Sequence, residues 1–461
     1  MRIILPFFLI ASFFFISCEK VQKPNSVEEF PYKQYELNEY GGIVNTDFKM
    51  SDFEEDLQNC RLCHEDHYDE WSQSMHAYTM KDPIFFSGWK EVQSSNHFPE
   101  TGERFCIQCH SPVAFLTGTD LSDVNSMAEL MSNFDKTITD GVSCNVCHSM
   151  TSLSNTVHTG DDVAANAEYY MYPGEGVQYG SIEDPEYNYW HESEFNPIFN
   201  QSEFCFPCHD LTMRGVEAEM TITEWSRIPG LAMSGALSCQ DCHMPLIVDE
   251  DGYHHNHKFV GVDIDLSYPI GASPLHGDVQ NMLQSAADLK FGYLTNTMPD
   301  TMIVGDSLFV PITVTSRTAH GLPSGTSFSR EAWINISIVD ENGMVLYESG
   351  SVENHEELDL LDPNLLLFTS NLLDENGNEV SSVTQAYQIL DDSLPAFQSK
   401  YHSYGVGIPP EISGMIYIDV KMLFRAFKPY MLIEYHSDLL QNLPIFEIAS
   451  IQDSIYIKSS Q

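Results

Sequence analysis

Cys60-Arg-Leu-Cys63-His64 is the first of five stretches in this chain that share the pattern Cys-x-x-Cys-His. The other four read Cys106-Ile-Gln-Cys109-His110, Cys144-Asn-Val-Cys147-His148, Cys205-Phe-Pro-Cys208-His209 and Cys239-Gln-Asp-Cys242-His243. Two thiols at this spacing reach the vinyl groups on one edge of a haem, and the following histidine ligates the iron. The pattern therefore predicts five covalently attached haems c, with the ten cysteines as attachment sites and the five histidines as proximal iron ligands.

Other uses of Cys-x-x-Cys explain the pattern less well. A thioredoxin-like redox site needs the two cysteines but no histidine after them. A zinc site needs a second cysteine pair or two further histidines close by, and not one histidine at a fixed position each time. Because the five copies use ten of the eleven cysteines, haem attachment accounts for nearly all of them.

The eleventh cysteine, Cys18, follows a segment with the order of an export signal. A basic residue comes first, an apolar run follows, and Ser17 is the small residue directly before the cysteine. This order predicts a lipoprotein signal peptide over residues 1–17 and lipidation of Cys18, with a plain secretory signal as the alternative. Either signal exports the chain, as attachment of c-type haem requires. We therefore expect a cell-envelope protein on the periplasmic or extracellular face, anchored to the outer membrane by lipid.

The charge of the chain limits its partners. The sequence has 67 acidic and 21 basic residues, which gives a net charge of −46. Such a surface repels nucleic acid and anionic lipid headgroups, so nucleic acid is excluded as a partner. It favours basic partners, and the alternative interpretation is a solvated acidic surface suited to a saline habitat.

The distribution of the motifs divides the chain into an N-terminal haem region and a C-terminal tail. Residues 18–50 are polar and predict a tether, and residues 51–270 carry all five motifs and predict a pentahaem cytochrome c domain. This domain has roughly forty residues per haem, too few for a conventional core, so we expect short helices and irregular loops. Residues 271–300 predict a connecting helix, because apolar residues recur at helical spacing within 277–290.

The tail, residues 301–461, contains no cysteine and changes to the two-residue period of β-strands. Ile334, Ile336 and Ile338 form one such run, and the stretches Asp340-Glu-Asn-Gly343 and Asp374-Glu-Asn-Gly377 predict turns. Short strands with Asn-Gly turns predict an antiparallel, immunoglobulin-like β-sandwich. The fold class predicted for the whole chain is α+β, with a mostly helical or irregular haem domain before this sandwich.

Several stretches around the motifs resemble the multihaem cytochrome c family that includes the tetrahaem cytochrome c-554. They are Cys63-His64-Glu-Asp-His-Tyr68-Asp-Glu-Trp71-Ser-Gln-Ser74-Met75-His76-Ala77, Asp140-Gly141-Val142-Ser143, Ser202-Glu203-Phe204, Thr223-Glu224-Trp225, His243-Met244-Pro245 and His257-Lys-Phe259-Val-Gly261. In the tail, Ala319-His320-Gly-Leu-Pro323-Ser-Gly325 resembles a loop common beside such haem domains. The resemblance covers about 200 of the 461 residues, and this chain has five motifs rather than four.

The histidines outside the motifs supply candidates for the sixth ligand of each iron. The resemblance implies that His76 and His257 are distal ligands. Position relative to the motifs adds His158 and His191, and His320 or His276 completes the set. We interpret His67, His254 and His255 as surface residues.

Three functions agree with these features. The first is an electron-transfer protein of a respiratory or extracellular pathway, whose redox partners are other cytochromes or a membrane quinol-oxidising complex. The second is a multihaem oxidoreductase of small nitrogen or sulfur compounds, in which one haem has an open sixth position. The third is a structural subunit of a larger haem assembly. The sequence favours the carrier, because it has more histidines than the irons need, and whether the protein is also an enzyme stays open.

Overall fold

A computed structural model describes residues 30–37, 43–53, 57–94, 104–153, 169–213, 215–230, 237–249, 252–293, 297–353 and 355–459. The predicted signal peptide, the predicted lipidation site Cys18 and the candidate ligand His158 lie outside these residues.

Short helices and small sheets make up the region that carries the motifs. The α-helices are α1 (Leu57–Cys63), α2 (Glu65–Gln73), α3 (Met75–Tyr78), α4 (Pro83–Ser94), α5 (Arg104–His110), α6 (Pro112–Leu116), α7 (Met127–Asn133), α8 (Lys136–Thr139), α9 (Cys144–His148), α10 (Thr221–Ser226) and α11 (Cys239–His243). The strands pair two by two and are β1 (Tyr35–Leu37) with β2 (Ile43–Thr46), β3 (Met150–Leu153) with β4 (Tyr169–Met171), β5 (Val177–Gly180) with β6 (Glu192–Phe195), β7 (Leu211–Met213) with β8 (Val216–Glu219), and β9 (Leu246–Asp249) with β10 (Gly252–His255).

The C-terminal region is built from two sheets. Its elements are α12 (His276–Gln284), β11 (Ala287–Phe291), β12 (Thr301–Ile303), β13 (Ser307–Ser316), β14 (Glu331–Asp340), β15 (Val345–Ser349), β16 (Leu367–Leu373), β17 (Glu379–Val380), β18 (Gln388–Asp391), β19 (Ser399–Gly407), β20 (Gly414–Arg425), α13 (Pro429–His436) and β21 (Phe446–Lys458). One sheet has the order β11-β13-β19, and the other has the order β12-β21-β20-β14-β16-β17, with β15 beside β14 and β18 beside β16.

Apolar and polar residues alternate along the strands of the tail, so that one face of each sheet packs into a shared core. In β14, Ile334, Ile336 and Ile338 are buried, and Ile336 lies opposite Val420 of β20 in the register. The haem region has a separate core around residues such as Trp89. The predicted α+β class, with a mostly helical region before a β-sandwich, is thus confirmed. One pair departs from the antiparallel prediction, because β12 runs parallel to β21.

The two Asn-Gly stretches form the turns that the sequence predicts. Asp340 accepts hydrogen bonds from the backbone N–H groups of Asn342 and Met344 at 2.9 and 2.7 Å, and Gly343 has φ = 83°. This turn joins β14 to β15. The side chain thus satisfies turn N–H groups, and glycine supplies the left-handed backbone.

The segment predicted as a connecting helix has a different structure. The helix α12 ends at Gln284, and residues 287–291 form strand β11, which pairs with β13. Val279 and Leu283 of α12 are buried in the sandwich core. The prediction of helix through residue 290 was wrong there, because the helical spacing of apolar residues ends at Ala286, and Ala287, Leu289 and Phe291 alternate with polar residues as in a strand. The segment belongs to the sandwich rather than connecting to it.

Candidate functional site

The Cys-x-x-Cys-His motifs lie on short helical turns. Helices α5, α9 and α11 each end on the histidine of a motif, and α1 ends on Cys63, directly before His64. The fourth motif begins at the end of the 3-10 helix Ser202–Cys205. A helical turn brings two thiols three positions apart onto one face, beside the histidine that follows. The local structure therefore suits attachment of one haem at each motif.

Four motif histidines face a second histidine across a gap of nearly constant width. The ring centroids are 6.4 Å apart for His64 and His191, 6.3 Å for His148 and His257, 6.3 Å for His243 and His320, and 6.1 Å for His209 and His76. Two imidazoles that ligate one iron from opposite sides, each at a metal–nitrogen distance of about 2 Å, have centroids about 6 Å apart. An iron therefore fits between the two rings of each of the four pairs.

Hydrogen bonds to the backbone orient several of these rings. The Nδ1 atoms of His148, His243, His257 and His320 lie 2.6 to 2.9 Å from the carbonyl oxygens of Tyr179, Val260, His255 and Gly321 in that order. An Nδ1–H that donates to a carbonyl leaves Nε2 as the free acceptor, which is the nitrogen that binds a metal. The backbone thus selects the tautomer that a haem iron requires.

Burial keeps three of the histidines that face a motif histidine unprotonated. Desolvation, followed by the nearby ring of His209, lowers the pKa of His76 to about 3. Desolvation and His148 likewise lower the pKa of His257 to about 3, and desolvation lowers the pKa of His320 to about 4. At neutral pH these imidazoles are therefore neutral and available as ligands.

The turn that carries His76 is fixed by the third motif's flanking residues. The N–H of Val142 donates to the carbonyl of His76 at 3.0 Å, and the indole Nε1 of Trp71 donates to the carbonyl of Val142 at 2.8 Å. Gly141 has φ = 70°, and a Cβ there would lie 2.6 Å from the carbonyl oxygen of His76. Only glycine fits this close approach. Trp71 and Gly141, both in family-like stretches, therefore position one ligand.

Glu70 holds the segment that carries His257. Its Oε2 accepts a hydrogen bond from the backbone N–H of His257 at 2.9 Å, and its Oε1 lies 3.2 Å from Nε2 of His254. The ring of His67 lies 4.6 Å from that of His254 and 5.0 Å from that of His257. The sequence interpretation of His67 and His254 as surface residues was therefore wrong, because both are half-buried in this cluster. It was also wrong for His255, which is half-buried with its Nδ1 2.7 Å from the carbonyl of Met244.

Glu224 joins the haem region to the tail loop that carries His320. Its Oε2 accepts hydrogen bonds from the backbone N–H of Gly321 at 2.8 Å and from the hydroxyl of Ser324 at 2.7 Å. Thr221, in the same helix α10, lies 2.9 Å from the Ser324 hydroxyl. Burial raises the pKa of Glu224, and these hydrogen bonds oppose the rise. The stretch Thr223-Glu224-Trp225 thus fixes a histidine that comes from the other half of the chain.

Contacts between cysteines of different motifs give the order in which the motifs meet. Side-chain contacts join Cys60 to Cys144, Cys109 to Cys208 and Cys205 to Cys239. Cys147 lies near Cys205 and Cys208. The first motif therefore meets the third, the third meets the fourth, and the fourth meets both the second and the fifth.

His110 differs from the other motif histidines. The phenyl ring of Phe85 stacks on its imidazole, with centroids 3.7 Å apart and planes 6° apart. Across the stretches that the structure covers, no second imidazole faces His110 at the spacing of the four pairs, and His97 and His158 lie outside those stretches. Burial lowers the pKa of His110 to about 4, so its ring is neutral.

The structure separates the two candidates that the sequence left open for the last ligand. His320 faces His243, whereas the ring of His276 stacks against Phe446 within the sandwich, with centroids 4.9 Å apart. Sequence reasoning gave neither Glu70 nor Glu224 a role. A signal was present for both, because each stands in a family-like stretch, but nothing in the sequence tied Glu70 to residues 254–257 or Glu224 to residues 321–324.

Residues 59–149 match the family of cytochrome c554 and c-prime. This stretch includes the first three motifs, and the resemblance drawn from the sequence is thereby confirmed. The fold is similar to the crystal structure of a penta-heme cytochrome c552 from Thermochromatium tepidum, which is 19% identical, with a TM-score of 0.63. The alignment covers 86% of this chain and 98% of that chain. Together with the motifs, these findings describe a multihaem c-type cytochrome with haem c as its cofactor.

The cytochrome has weaker likenesses that concern a smaller part of its length. The C-terminal domain of wzt is 9% identical over 39% of this chain and 77% of that chain, with a TM-score of 0.21. The CARDB domain of the PF1109 protein from Pyrococcus furiosus is 10% identical over 38% of this chain and 97% of that chain, with a TM-score of 0.17. Scores this low support no structural argument. No curated protein matches the cytochrome in sequence.

Replacing Glu224 tests how this cytochrome holds His320. We expect Glu224→Ala to remove both hydrogen bonds to the loop and to cost about 1 to 3 kcal/mol of stability, because buried partners lose their acceptor. The loosened His320 should convert part of one low-spin haem to high spin, measured by electron paramagnetic resonance of the ferric protein. Glu224→Gln, which keeps a carbonyl acceptor, should restore most of the low-spin signal.

The matched control is Glu217→Ala, an exposed carboxylate two positions before Glu219 in strand β8. Its spectrum should equal that of the wild type. A wholly low-spin spectrum for Glu224→Ala would contradict the positioning role.

Proposed function

We propose that the protein is an electron-transfer cytochrome of the cell envelope that holds five haems c. The observation that carries the proposal is the set of four imidazole pairs at 6.1 to 6.4 Å. Haem iron supplies a one-electron Fe(III)/Fe(II) couple. Each pair would hold an iron from both sides and would leave no place for a substrate at that iron, so electron transfer is the chemistry that these four sites would support. The penta-heme description of the T. tepidum relative supports the number five.

The contacts between motifs support transfer over a distance. The first motif meets the third through Cys60 and Cys144, and the fourth meets the fifth through Cys205 and Cys239. The attachment sites thus form a continuous series, with the fourth motif as the point where the second and fifth join. A series of this kind suits a carrier that receives an electron at one surface and releases it at another. Other cytochromes or a membrane quinol-oxidising complex are the partners that such a carrier requires.

The sixth ligands allow a direct test of the proposal. We expect the ferric wild-type protein to show at least four low-spin haems, and His76→Ala to convert one of them to high spin and raise its midpoint potential. The reason is the loss of a strong nitrogen donor that favours the ferric state. His355→Ala, which changes an exposed histidine of the tail, is the matched control. If His76→Ala left every haem low-spin, the pairing with His209 would be wrong.

We also propose attachment to the outer membrane through a lipid on Cys18, facing the periplasm or the exterior. Support comes from the sequence, in which Ser17 and an apolar run precede the cysteine. Within the described residues, no helix is long and apolar enough to cross a membrane. We expect Cys18→Ser to keep its haems but to move from the membrane fraction to the soluble fraction. A variant that stays membrane-bound in high salt would contradict the lipid anchor, whereas Ser17→Ala should behave like the wild type.

A second function rests on the site at His110, which no imidazole of the described residues faces at the spacing of the four pairs; Phe85 stacks on the flat face of its ring instead. Asp82 directly precedes the helix that carries Phe85, and burial raises the pKa of this carboxyl to about 7, against the hydrogen bond from the N–H of Ile84. A reductase of small nitrogen or sulfur compounds would require an iron with an open position and an acid that titrates near neutral pH.

Carbon monoxide distinguishes this second function. It binds ferrous haem at an open position, so we expect the reduced wild-type protein to bind about one molecule per chain if the site at His110 is open. Hydroxylamine should then be consumed by the reduced protein, more slowly in Asp82→Asn. Asp123→Asn, which alters an exposed carboxylate of the same region, serves as the control. No binding of carbon monoxide would leave electron transfer as the sole function.

A further inference from the structure

The connection between β5 and β6 presents large aromatic side chains to solvent. Tyr187, Tyr189 and Trp190 are 92, 85 and 80% exposed, and the rings of Tyr189 and Trp190 lie 5.9 Å apart, edge to face. Aromatic side chains dominate the energetics of protein interfaces, and a contiguous exposed apolar patch rimmed by polar residues marks a binding site. We define residues 181–190 as the acidic–aromatic loop.

The same loop carries uncompensated negative charge. Glu183, Asp184 and Glu186 are exposed, and none of them forms an ion pair with any residue for which the structure gives a position. The sequence contains no lysine or arginine between Lys136 and Arg214. An aromatic centre with a charged rim is the usual anatomy of a specific, transient protein interface.

The acidic–aromatic loop is fixed directly to an iron site. The side chain Oδ1 of Asn188 accepts hydrogen bonds from the backbone N–H groups of Trp190 at 3.0 Å and of His191 at 2.9 Å. His191 faces His64, and Cys63 of the same motif is exposed. The first motif therefore lies at the surface, next to the loop.

The contacts between motifs place this site at one end of the series. The cysteine contacts of the first motif run to Cys144 of the third, whereas the fourth motif meets three others. An end of the series at the surface is where an electron enters or leaves. The loop is thus beside one of the three ends of the branched series, and a partner that exchanges electrons there has to approach the loop.

We propose that the acidic–aromatic loop is the docking surface for a basic redox protein, which exchanges one electron with the iron site of His64 and His191. The inference rests on the proposed electron-transfer function and adds the partner's chemistry and its place of contact. The step moves one electron from a ferrous to a ferric iron, and no bond is made or broken. A ring of lysines around the partner's redox centre matches the three carboxylates, while its apolar edge covers Trp190.

The negative charge of the loop favours a basic protein over the other possible binding partners. A second copy of the same chain would bring equal negative charge to the loop, and an anionic membrane or nucleic acid would be repelled in the same way. A basic protein gains both long-range attraction and burial of the aromatic rings. Because the whole chain has a net charge of −46, attraction alone does not locate the contact, and the test needs variants of equal net charge.

The experiment uses the full-length protein with its haems, reduced and then mixed in a stopped-flow instrument with a ferric, lysine-rich monohaem cytochrome c. We expect the triple variant Glu183→Gln, Asp184→Asn, Glu186→Gln to lower the second-order rate about tenfold at low ionic strength and to flatten its salt dependence. Trp190→Ala should lower the rate and leave the salt dependence unchanged, because it removes contact area and no charge.

The matched control is the triple variant Glu348→Gln, Glu375→Gln, Asp453→Asn, which makes the same change in net charge on exposed positions of the sandwich. Its rate should stay within about twofold of the wild type. Equal losses in the two triple variants, or no loss in the loop variant, would overturn the docking site.

A neutral photoreduced flavin separates this inference from the function on which it rests. All variants should accept electrons from the flavin at the wild-type rate, because a small neutral donor needs no docking surface. If the wild type exchanged electrons with neither the flavin nor the cytochrome, electron transfer itself would be refuted. Normal exchange with flavin and a loop variant that matches wild type would refute the docking site alone.

Discussion

The pairing of histidines from distant parts of the chain, at the spacing that one iron between them would need, is the constraint on which the haem region depends. His64 faces His191, His148 faces His257, and His243 faces His320. Each pair closes a long loop, and the entropy of closing it has to be offset by what lies between the rings. The α-helices of this region are short, so they bury little apolar surface by themselves. A haem attached covalently to the motif cysteines stays on the unfolded chain, so folding would add the bond from its iron to the distant histidine, and that bond would help to offset the entropy of loop closure.

A further set of residues fixes the backbone beside the paired histidines. Glu70 accepts from the N–H of His257, Asn188 from that of His191, and Glu224 from that of Gly321 beside His320. In each case a side chain binds the backbone next to the ligand and leaves the imidazole free for iron. Gly141 achieves the same result by removing a Cβ that would meet the carbonyl of His76. Outer residues that orient ligands in this way are the usual support of a metal site.

The sequence predicted correctly those parts of the structure that depend on residues close together in the chain. The motifs, the two-residue alternation of Ile334 to Ile338 and the Asp-x-Asn-Gly turns are all short-range patterns, and each specified an element that the structure contains. The pairing of histidines that are distant in the chain could not be predicted in the same way. Position and resemblance singled out His191 and His320, but no pattern shows which motif each one faces. The strand β11 was taken for helix because the helical apolar spacing of residues 279–286 was extended across it, although Ala287, Leu289 and Phe291 alternate at the period of a strand and pair with β13. The interpretation of His67 as a surface residue failed likewise, because its neighbours arrive from residues 254–257.

The sandwich has a larger role than an attached module. His320 lies on a tail loop between β13 and β14, yet it faces His243 of the fifth motif. Glu224 of the haem region binds that loop, and Arg330, just beyond it, forms an ion pair of 2.8 Å with Asp263. The pair of rings at the fifth motif is therefore contributed by both halves of the chain. An iron bound between them would take one ligand from each half, so its spin state would depend on how the sandwich packs against the haem region.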